Sequence, residues 1–219
     1  MKTRWTSVAL GLLLAISLSA AARSHRHKQA GSPSNPGGDF FVLALSWAPN
    51  YCDDPVKSHS ASECGPNRHF GFIVHGLWPT KADGSEGTEC QGGSPLGEDN
   101  VRALLPYIPD RGLIQHEWSK HWSCRGTPQQ FAAAVKSAAT ALKIPDKYNQ
   151  PKQNITINRA QLERDFATAN GASPGNFRVS CHAGKLVNFE ACMTGDAKLR
   201  SCTEVKECPE NDVTLDAVK

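Results

Sequence analysis

Hydrophobic residues are concentrated in short continuous runs, and two of these runs predict buried strands. Residues 40–47 read Phe-Phe-Val-Leu-Ala-Leu-Ser-Trp, and Pro49 follows them. Residues 70–78 form a second apolar run, which contains His75 and is stopped by Pro79. Runs of this length that are rich in aromatic and β-branched residues are typical of strands in the middle of a sheet.

The central part of the chain shows helical signals instead. The predicted helices cover residues 98–105, 113–122, 127–144 and 158–169. The third has the clearest start, because Thr127 suits the N-cap, Pro128 the first turn and Gln130 a capping box. Gly171, just beyond the fourth helix, is a typical C-terminal stop.

Two alternating runs near the end, residues 177–181 and 186–192, are separated by a segment with Gly184 and predict a hairpin. Residues 80–97 are dominated by Gly, Ser, Asp and Glu, which favours a long surface loop. Helices grouped in the middle of such a chain indicate the α+β class, with an antiparallel sheet and the helices grouped on one side.

The N-terminal segment is typical of an export signal. Lys2 and Arg4 precede an apolar run over residues 8–18, and Ser19 is followed by three alanines. We therefore expect residues 1–22 to be a signal peptide, residues 23–39 a flexible polar leader and residues 40–219 a single domain. A retained membrane anchor is the alternative, although the apolar run is short for one. The expected location is secreted or periplasmic.

Composition does not by itself indicate nucleic-acid binding. The formal net charge of +3 falls to +1 when residues 1–22 are removed, because they hold Lys2 and Arg4 and no acidic residue. A protein that binds nucleic acid by bulk electrostatics usually carries a stronger basic excess. Any such function must therefore come from a specific site.

The eight cysteines are Cys52, Cys64, Cys90, Cys124, Cys181, Cys192, Cys202 and Cys208. An even number in an exported chain predicts four disulfides. Proximity along the chain favours a bond between Cys52 and Cys64 and pairing of the last four among themselves. Zinc binding is the competing interpretation, but the chain has no Cys-x-x-Cys pair.

One predicted helix concentrates ionisable residues, namely His116, Glu117, Lys120 and His121. With about 100° of rotation per residue, a regular helix places all four on one face and packs Trp118 and Trp122 on the other. A solvated helix face is the ordinary explanation of such a cluster, and a satisfied core histidine is the ordinary explanation of His75.

Together, however, histidines on two elements with a carboxyl and an ammonium group suit phosphodiester transfer to an internal hydroxyl. One imidazole accepts the proton of the 2′-hydroxyl, the other protonates the leaving 5′-oxygen, and a cation stabilises the charge on the phosphorane. The unperturbed pKa of histidine, about 6.5, allows one ring to be neutral and the other protonated at the same pH.

Two segments resemble the active-site segments of the ribonuclease T2 family. They are residues 72–79, Phe-Ile-Val-His-Gly-Leu-Trp-Pro, and residues 116–121, His-Glu-Trp-Ser-Lys-His, with Cys124 close behind. Weaker similarity extends over nearly all of residues 40–219. The resemblance implies an α+β fold and endonucleolytic cleavage of single-stranded RNA, without metal or cofactor, through a 2′,3′-cyclic phosphate to a 3′-phosphate. We expect a monomer that needs no protein partner.

By the same resemblance, His121 is the general base, His75 the general acid and His116 a phosphate ligand, while Glu117 and Lys120 stabilise the transition state. The implied disulfides are Cys52–Cys64, Cys90–Cys124, Cys181–Cys208 and Cys192–Cys202.

Three further positions bear on specificity and packing. Trp78 and Thr80 fall where the family binds a base, although the family commonly has aspartate at the position of Thr80. Trp78 can equally belong to the core, because a tryptophan at a strand end usually packs inside. The family's pattern has glycine where this chain has Trp122, which is either packed in the core or held in a strained left-handed conformation.

Two rival functions remain open at this stage. His116 and Glu117 match the first two residues of the zinc-binding helix motif of metalloproteases. In that motif the second histidine follows the first by four residues, whereas His121 follows His116 by five. Two such histidines do not readily bind one ion while the helix stays regular. The other rival is a secreted RNA-binding or toxin-like protein that keeps the fold without turnover, and an activity measurement separates the two.

Overall fold

The computed structural model describes residue 1 and residues 40–55, 59–87 and 89–219. Apart from Met1, the predicted signal peptide and leader lie outside the described residues. Among the residues that are described, no helix combines the length and apolar character needed to cross a bilayer.

Six strands form one sheet. They are β1 (Phe40–Trp47), β2 (Phe72–Thr80), β3 (Ile155–Asn158), β4 (Phe177–His182), β5 (Lys185–Met193) and β6 (Asp212–Leu215). Neighbours follow the order β2-β1-β5-β6-β3, and β4 pairs with β5 as the predicted hairpin. The predicted antiparallel arrangement holds for β1 with β2 and β5, for β4 with β5 and for β3 with β6. The contact between β5 and β6 is parallel, so the sheet is mixed.

The helices are α1 (Ala48–Cys52), α2 (Ala61–Cys64), α3 (Glu98–Leu104), α4 (Arg111–Glu117), α5 (Pro128–Ala141) and α6 (Arg159–Asn170). Short 3₁₀ turns cover Asp146–Tyr148 and Pro174–Asn176. The predicted caps are confirmed: Thr127 and Gln130 form a capping box at α5, and Gly171 ends α6 with a left-handed φ of 58°.

The prediction of one regular helix over residues 113–122 is wrong. α4 ends at Glu117, and Trp118–Trp122 form a π-helical turn. Its wider hydrogen bond runs from the backbone N–H of Ser123 to the carbonyl of Trp118, 2.8 Å away. The extra residue rotates the side chains that follow, so the angles of a regular helix do not apply to Lys120 and His121.

Alternation along β1 divides the interior into two clusters. Phe41, Leu43, Leu45 and Trp47 belong to the large core that also contains apolar residues of α3 to α6. Phe40 and Val42 point to the other face and pack with Cys192 and Cys202. The predicted grouping of helices on one side of the sheet is therefore confirmed.

The eight cysteines form four disulfides, Cys52–Cys64, Cys90–Cys124, Cys181–Cys208 and Cys192–Cys202. This is the pairing that the family resemblance implies. Cys52–Cys64 joins α1 to α2, and the other three bonds fasten loops: none of the eight residues from Cys90 to Gly97 is in a helix or strand, and Cys202 and Cys208 lie in the loop between β5 and β6.

Candidate active site

His75 owes its position to a β-bulge in the edge strand β2. In the ladder between β1 and β2, Ala44 pairs with Gly76 and Leu45 pairs with Val74, so His75 is the extra residue. A bulge bends its strand and re-aims the extra side chain. The ring of His75 consequently lines a cavity of about 460 Å³, together with His116 from α4.

Glu117, the last residue of α4, is buried against this bulge. The indole Nε1 of Trp78 donates a hydrogen bond of 2.9 Å to Oε2 of Glu117. The carboxyl group lies so close to Gly76 that a Cβ atom there would be 2.0 Å from Oε2. Glycine is thus required at position 76 for the carboxyl group to occupy this place.

The two oxygens of Glu117 face different histidines. Nε2 of His75 lies 3.7 Å from Oε1, and Nε2 of His121 lies 4.0 Å from Oε2. Trp78 also contacts both rings, edge-on to His75 at 5.3 Å and tilted to His121 at 6.2 Å between centroids. The structure therefore brings His75, Glu117 and His121 together around one indole ring.

Burial sets the protonation of this group. Removal from water raises the pKa of Glu117 to about 7, although the Trp78 hydrogen bond and the charge of Lys120 act in the opposite direction. Burial lowers the pKa of His121 to about 4, and the nearby Lys120 and His116 lower it further. Between about pH 5 and 6, His121 is neutral and can accept a proton, while Glu117 is largely protonated.

The two remaining residues of the cluster are more accessible. Lys120 is half-buried in the π-helical turn, and its ammonium group lies 3.1 Å from Oε1 of Glu89. This pairing with Glu89 raises the pKa of Lys120. His116 is exposed and lines the same cavity as His75. The site thus offers the ammonium group of Lys120 and the accessible imidazole of His116, next to the buried Glu117 and His121.

The loop after β2 is fastened to residues 115–124 at several points. The backbone N–H of Cys90 donates to the carbonyl of Lys120 at 2.7 Å, next to the Cys90–Cys124 disulfide. The side chain of Gln115 exchanges two hydrogen bonds with the backbone of Leu96. These contacts hold the loop and the π-helical turn in one arrangement.

Trp78 and Thr80 occupy different environments. Trp78 is half-buried at the site, so its position suits contact with a ligand as well as packing. Thr80 is buried, and its hydroxyl donates to the backbone carbonyl of Trp78 at 3.1 Å. The structure does not bring the Thr80 hydroxyl to the open side of the site, and its role toward a base stays a prediction.

The prediction against zinc rested on a regular helix, and the π-helical turn removes that premise. The positions of the side chains must therefore decide. Among the described residues, the one group of three side chains close enough together to hold an ion is Cys181, Cys208 and Glu210. Both of its cysteines are joined in a disulfide. His116, Glu117 and His121 do not form such a group.

Three contributors to the site were missed from the sequence: Gly76, Ser46 and Asn188. Ser46 Oγ lies 3.0 Å from Nδ1 of His75 and donates a 3.0 Å hydrogen bond to Oδ1 of Asn188. Each polar residue is embedded in a strand that is otherwise largely apolar. That placement is the signal that singled out His75, and it applies equally to them.

The fold and the site define a disulfide-linked α+β protein whose cleft holds histidines around a buried carboxyl group. The family model of the Ribonuclease T2 family matches residues 38–202, and the chain belongs to this family.

Individual relatives agree with this assignment. A protein described as "Probable ribonuclease" from Haemophilus influenzae is 35% identical over 135 residues, which are 56% of this chain and 50% of that protein. The chain thus matches about half the length of that relative. "Ribonuclease Oy" from Magallana gigas is 30% identical over 80% of this chain and 93% of that protein. The solved structure of an RNase-related protein from Calystegia sepium shares the fold, with a TM-score of 0.63, 17% identity, and coverage of 84% of this chain and 99% of that one.

Proposed function

We propose that the protein is an endoribonuclease that cleaves single-stranded RNA by attack of the 2′-hydroxyl on the adjacent phosphate. The products are a 2′,3′-cyclic phosphate and then a 3′-phosphate. The observation that carries this proposal is the placement of His75 and His121 on the two oxygens of one carboxyl group, at 3.7 and 4.0 Å. Family membership supports the same reaction class.

His121 acts as the general base in this proposal. Its lowered pKa keeps the imidazole neutral in mildly acidic solution, so that it can accept the proton of the 2′-hydroxyl. His75 is the general acid that protonates the leaving 5′-oxygen. Its ring lines the cavity, where the nucleotide after the scissile phosphate has room to lie.

The other three residues act on the phosphate. Lys120 supplies positive charge at the opening of the site, where the substrate phosphate enters, and the imidazole of His116 supplies a hydrogen bond there. Glu117 is protonated at a pH below about 7, so it can donate a hydrogen bond to a phosphorane oxygen. The ammonium group of Lys120 has three N–H donors, so it can bind the phosphate while one of them contacts Glu89. Trp78, and less directly Thr80, are proposed to contact a base.

The reaction as proposed uses only these side chains and requires no metal, cofactor or protein partner, and we infer that the protein acts as a monomer. We further infer that it works outside the cytoplasm, in the medium or a periplasm. Four disulfides persist in oxidising compartments, and the N-terminal sequence has the features of an export signal.

The test is incubation of the purified, oxidised protein with a dinucleoside phosphate in the presence of a chelator. We expect a cyclic phosphate first and a 3′-phosphate later, and no cleavage of the 2′-deoxy analogue. Cleavage of DNA would contradict this mechanism, and so would an activity that chelator abolishes and zinc restores.

Alanine variants assign the roles. His75→Ala and His121→Ala are each expected to lower kcat by about 10²–10⁴, the usual size of an acid–base contribution. His182→Ala is the matched control, because His182 is exposed at the end of β4 and outside the site. A His75→Ala variant that cleaves at the wild-type rate would reduce His75 to a core histidine.

A further inference from the structure

A row of polar side chains crosses three neighbouring strands behind the active site. His75 lies on β2, Ser46 on β1 and Asn188 on β5, and Ser46 and Asn188 are register partners in the sheet. Ser46 Oγ is 3.0 Å from Nδ1 of His75 and 3.0 Å from Oδ1 of Asn188. Oδ1 of Asn188 itself lies 3.4 Å from the same Nδ1. Neither Ser46 nor Asn188 belongs to the cluster assigned to the reaction.

The number of available hydrogens determines the direction of these bonds. A serine hydroxyl has one hydrogen, and here it is directed to Oδ1 of Asn188, which is an acceptor only. Ser46 Oγ can therefore only accept from the imidazole. Both oxygens near Nδ1 are acceptors, so the hydrogen between them must belong to Nδ1 of His75.

This arrangement leaves the other ring nitrogen for chemistry. Nδ1 is protonated and hydrogen-bonded to the side chains on β1 and β5, so Nε2 is the nitrogen that gains and loses a proton. Nε2 lies 3.7 Å from Oε1 of Glu117. Fixing one nitrogen of a histidine commonly determines the tautomer and the ring orientation. A bulged residue has more need of such a support, because the regular ladder does not set its direction.

We propose that Ser46 and Asn188 are positioning residues that hold His75 as its Nδ1–H tautomer and direct Nε2 toward the reacting phosphate. The link to turnover rests on the proposed function, in which His75 is the general acid. The tautomer itself is a property of the protein without substrate. The two parts can therefore be measured separately.

The first measurement is the tautomer. Long-range ¹H–¹⁵N correlation spectra of the full-length oxidised protein should show the neutral ring of His75 with hydrogen on Nδ1, at a pH where titration finds this ring uncharged. Ser46→Ala and Asn188→Ala should each shift the ring toward the Nε2–H tautomer. A wild-type ring that is mainly Nε2–H would overturn the proposal.

The second measurement is turnover of a dinucleoside phosphate. Ser46→Ala and Asn188→Ala should each lower kcat by about 10- to 100-fold, the size found when a partner that orients a functional histidine is lost. Ser46→Thr, which keeps the hydroxyl, should restore most of the rate. Thr214→Val is the matched control, because it removes a hydroxyl contact with Thr156 elsewhere in the sheet and should leave kcat unchanged.

The outcomes separate the two hypotheses. If the alanine variants fold, as thermal unfolding shows, but keep the wild-type kcat, the positioning role is refuted while the ribonuclease assignment stands. If the wild-type protein cleaves no RNA, the proposed function fails, and the tautomer spectra still decide whether Ser46 and Asn188 hold the ring.

Discussion

A Cβ atom added to Gly76 would lie 2.0 Å from Oε2 of Glu117 and 2.5 Å from the indole nitrogen of Trp78. No real Cβ atom approaches other atoms so closely. The glycine next to the bulged His75 therefore makes room for the buried carboxyl group, and the position of Glu117 between two histidines depends on a residue from another element.

Gly76→Ala is expected to push Glu117 away from the histidines and to lower kcat by at least about 10-fold. The upper limit is the loss of about 10²–10³ in kcat that follows removal of one hydrogen-bond donor to the transition state. The measurement is steady-state cleavage of a dinucleoside phosphate. Gly97→Ala is the matched control, because nothing lies within 4 Å of a Cβ atom at that position. If the Gly76 variant keeps the wild-type kcat, Glu117 does not need its observed place.

The pH dependence of kcat/KM should reflect the two buried groups. As the pH falls through about 4, His121 becomes protonated and can no longer accept the 2′-hydroxyl proton, so the rate should fall there and not near 6.5. As the pH rises through about 7, Glu117 loses its proton and the rate should fall again. The two limbs are macroscopic values of a coupled site.

A variant tests the cause of the acid limb. Lys120 is one of the charges that lower the pKa of His121, so Lys120→Met should move the acid limb of the remaining activity to higher pH. An acid limb that stays in place in this variant would show that Lys120 does not act on His121.

Much of the fold could be predicted because the local signals were strong. β1 has the bounds that its apolar run indicates, and the caps of α5 and α6 are those that Thr127 and Gly171 signal. β3 and β6 escaped notice because each has only four residues, too few for alternation to stand out. The parallel contact of β5 with β6 joins segments distant in sequence, which no local pattern encodes.

The sequence predicted which residues form the candidate site but did not predict their arrangement in space. His75 stood out as a polar residue in an apolar strand, but a continuous apolar run does not reveal a bulge, since neither face is marked by polar residues. The π-helical turn has no comparable signal either, because the same apolar spacing suits a regular turn. The burial of Glu117 and His121 follows from these two irregularities and so remained hidden.

The Cys90–Cys124 disulfide should matter for activity as well as stability. Its loss in a Cys90→Ala, Cys124→Ala double variant is expected to cost about 2–5 kcal/mol. It should also lower kcat, since Cys90 is hydrogen-bonded to the backbone of Lys120, which is proposed to bind the phosphate. Denaturant unfolding and initial rates measure the two effects.

The Cys181–Cys208 disulfide provides the control, because it joins β4 to the loop before β6 and packs in the large core. Its removal by the same double substitution should reduce stability and leave kcat close to that of the wild type. An equal loss of kcat in both double variants would mean that only general stability is involved.

The last prediction concerns Trp122, which stands where the family's pattern has glycine. The side chain is 2% exposed, stacks on Phe41 with centroids 5.4 Å apart, and donates a 2.7 Å hydrogen bond to the carbonyl of Leu77. The backbone φ of Trp122 is not positive, so this residue carries no left-handed strain that glycine could relieve. The packed-core interpretation is therefore the one that the structure supports.

Trp122→Gly should lower the free energy of unfolding by about 3–5 kcal/mol through lost packing, with up to about 1 kcal/mol more from the flexibility of glycine. It also removes the hydrogen bond from the indole to the backbone carbonyl of Leu77. Trp122→Phe keeps the stacking and loses the hydrogen bond, so it should cost about 1 kcal/mol from that loss. Because the indole points away from the histidines and into the core with Phe131, kcat of the folded fraction should change little in both variants. Thermal and denaturant unfolding decide between the two interpretations. A lowered unfolding midpoint for Trp122→Gly is expected for a packed tryptophan, and a raised midpoint would show that the tryptophan is strained.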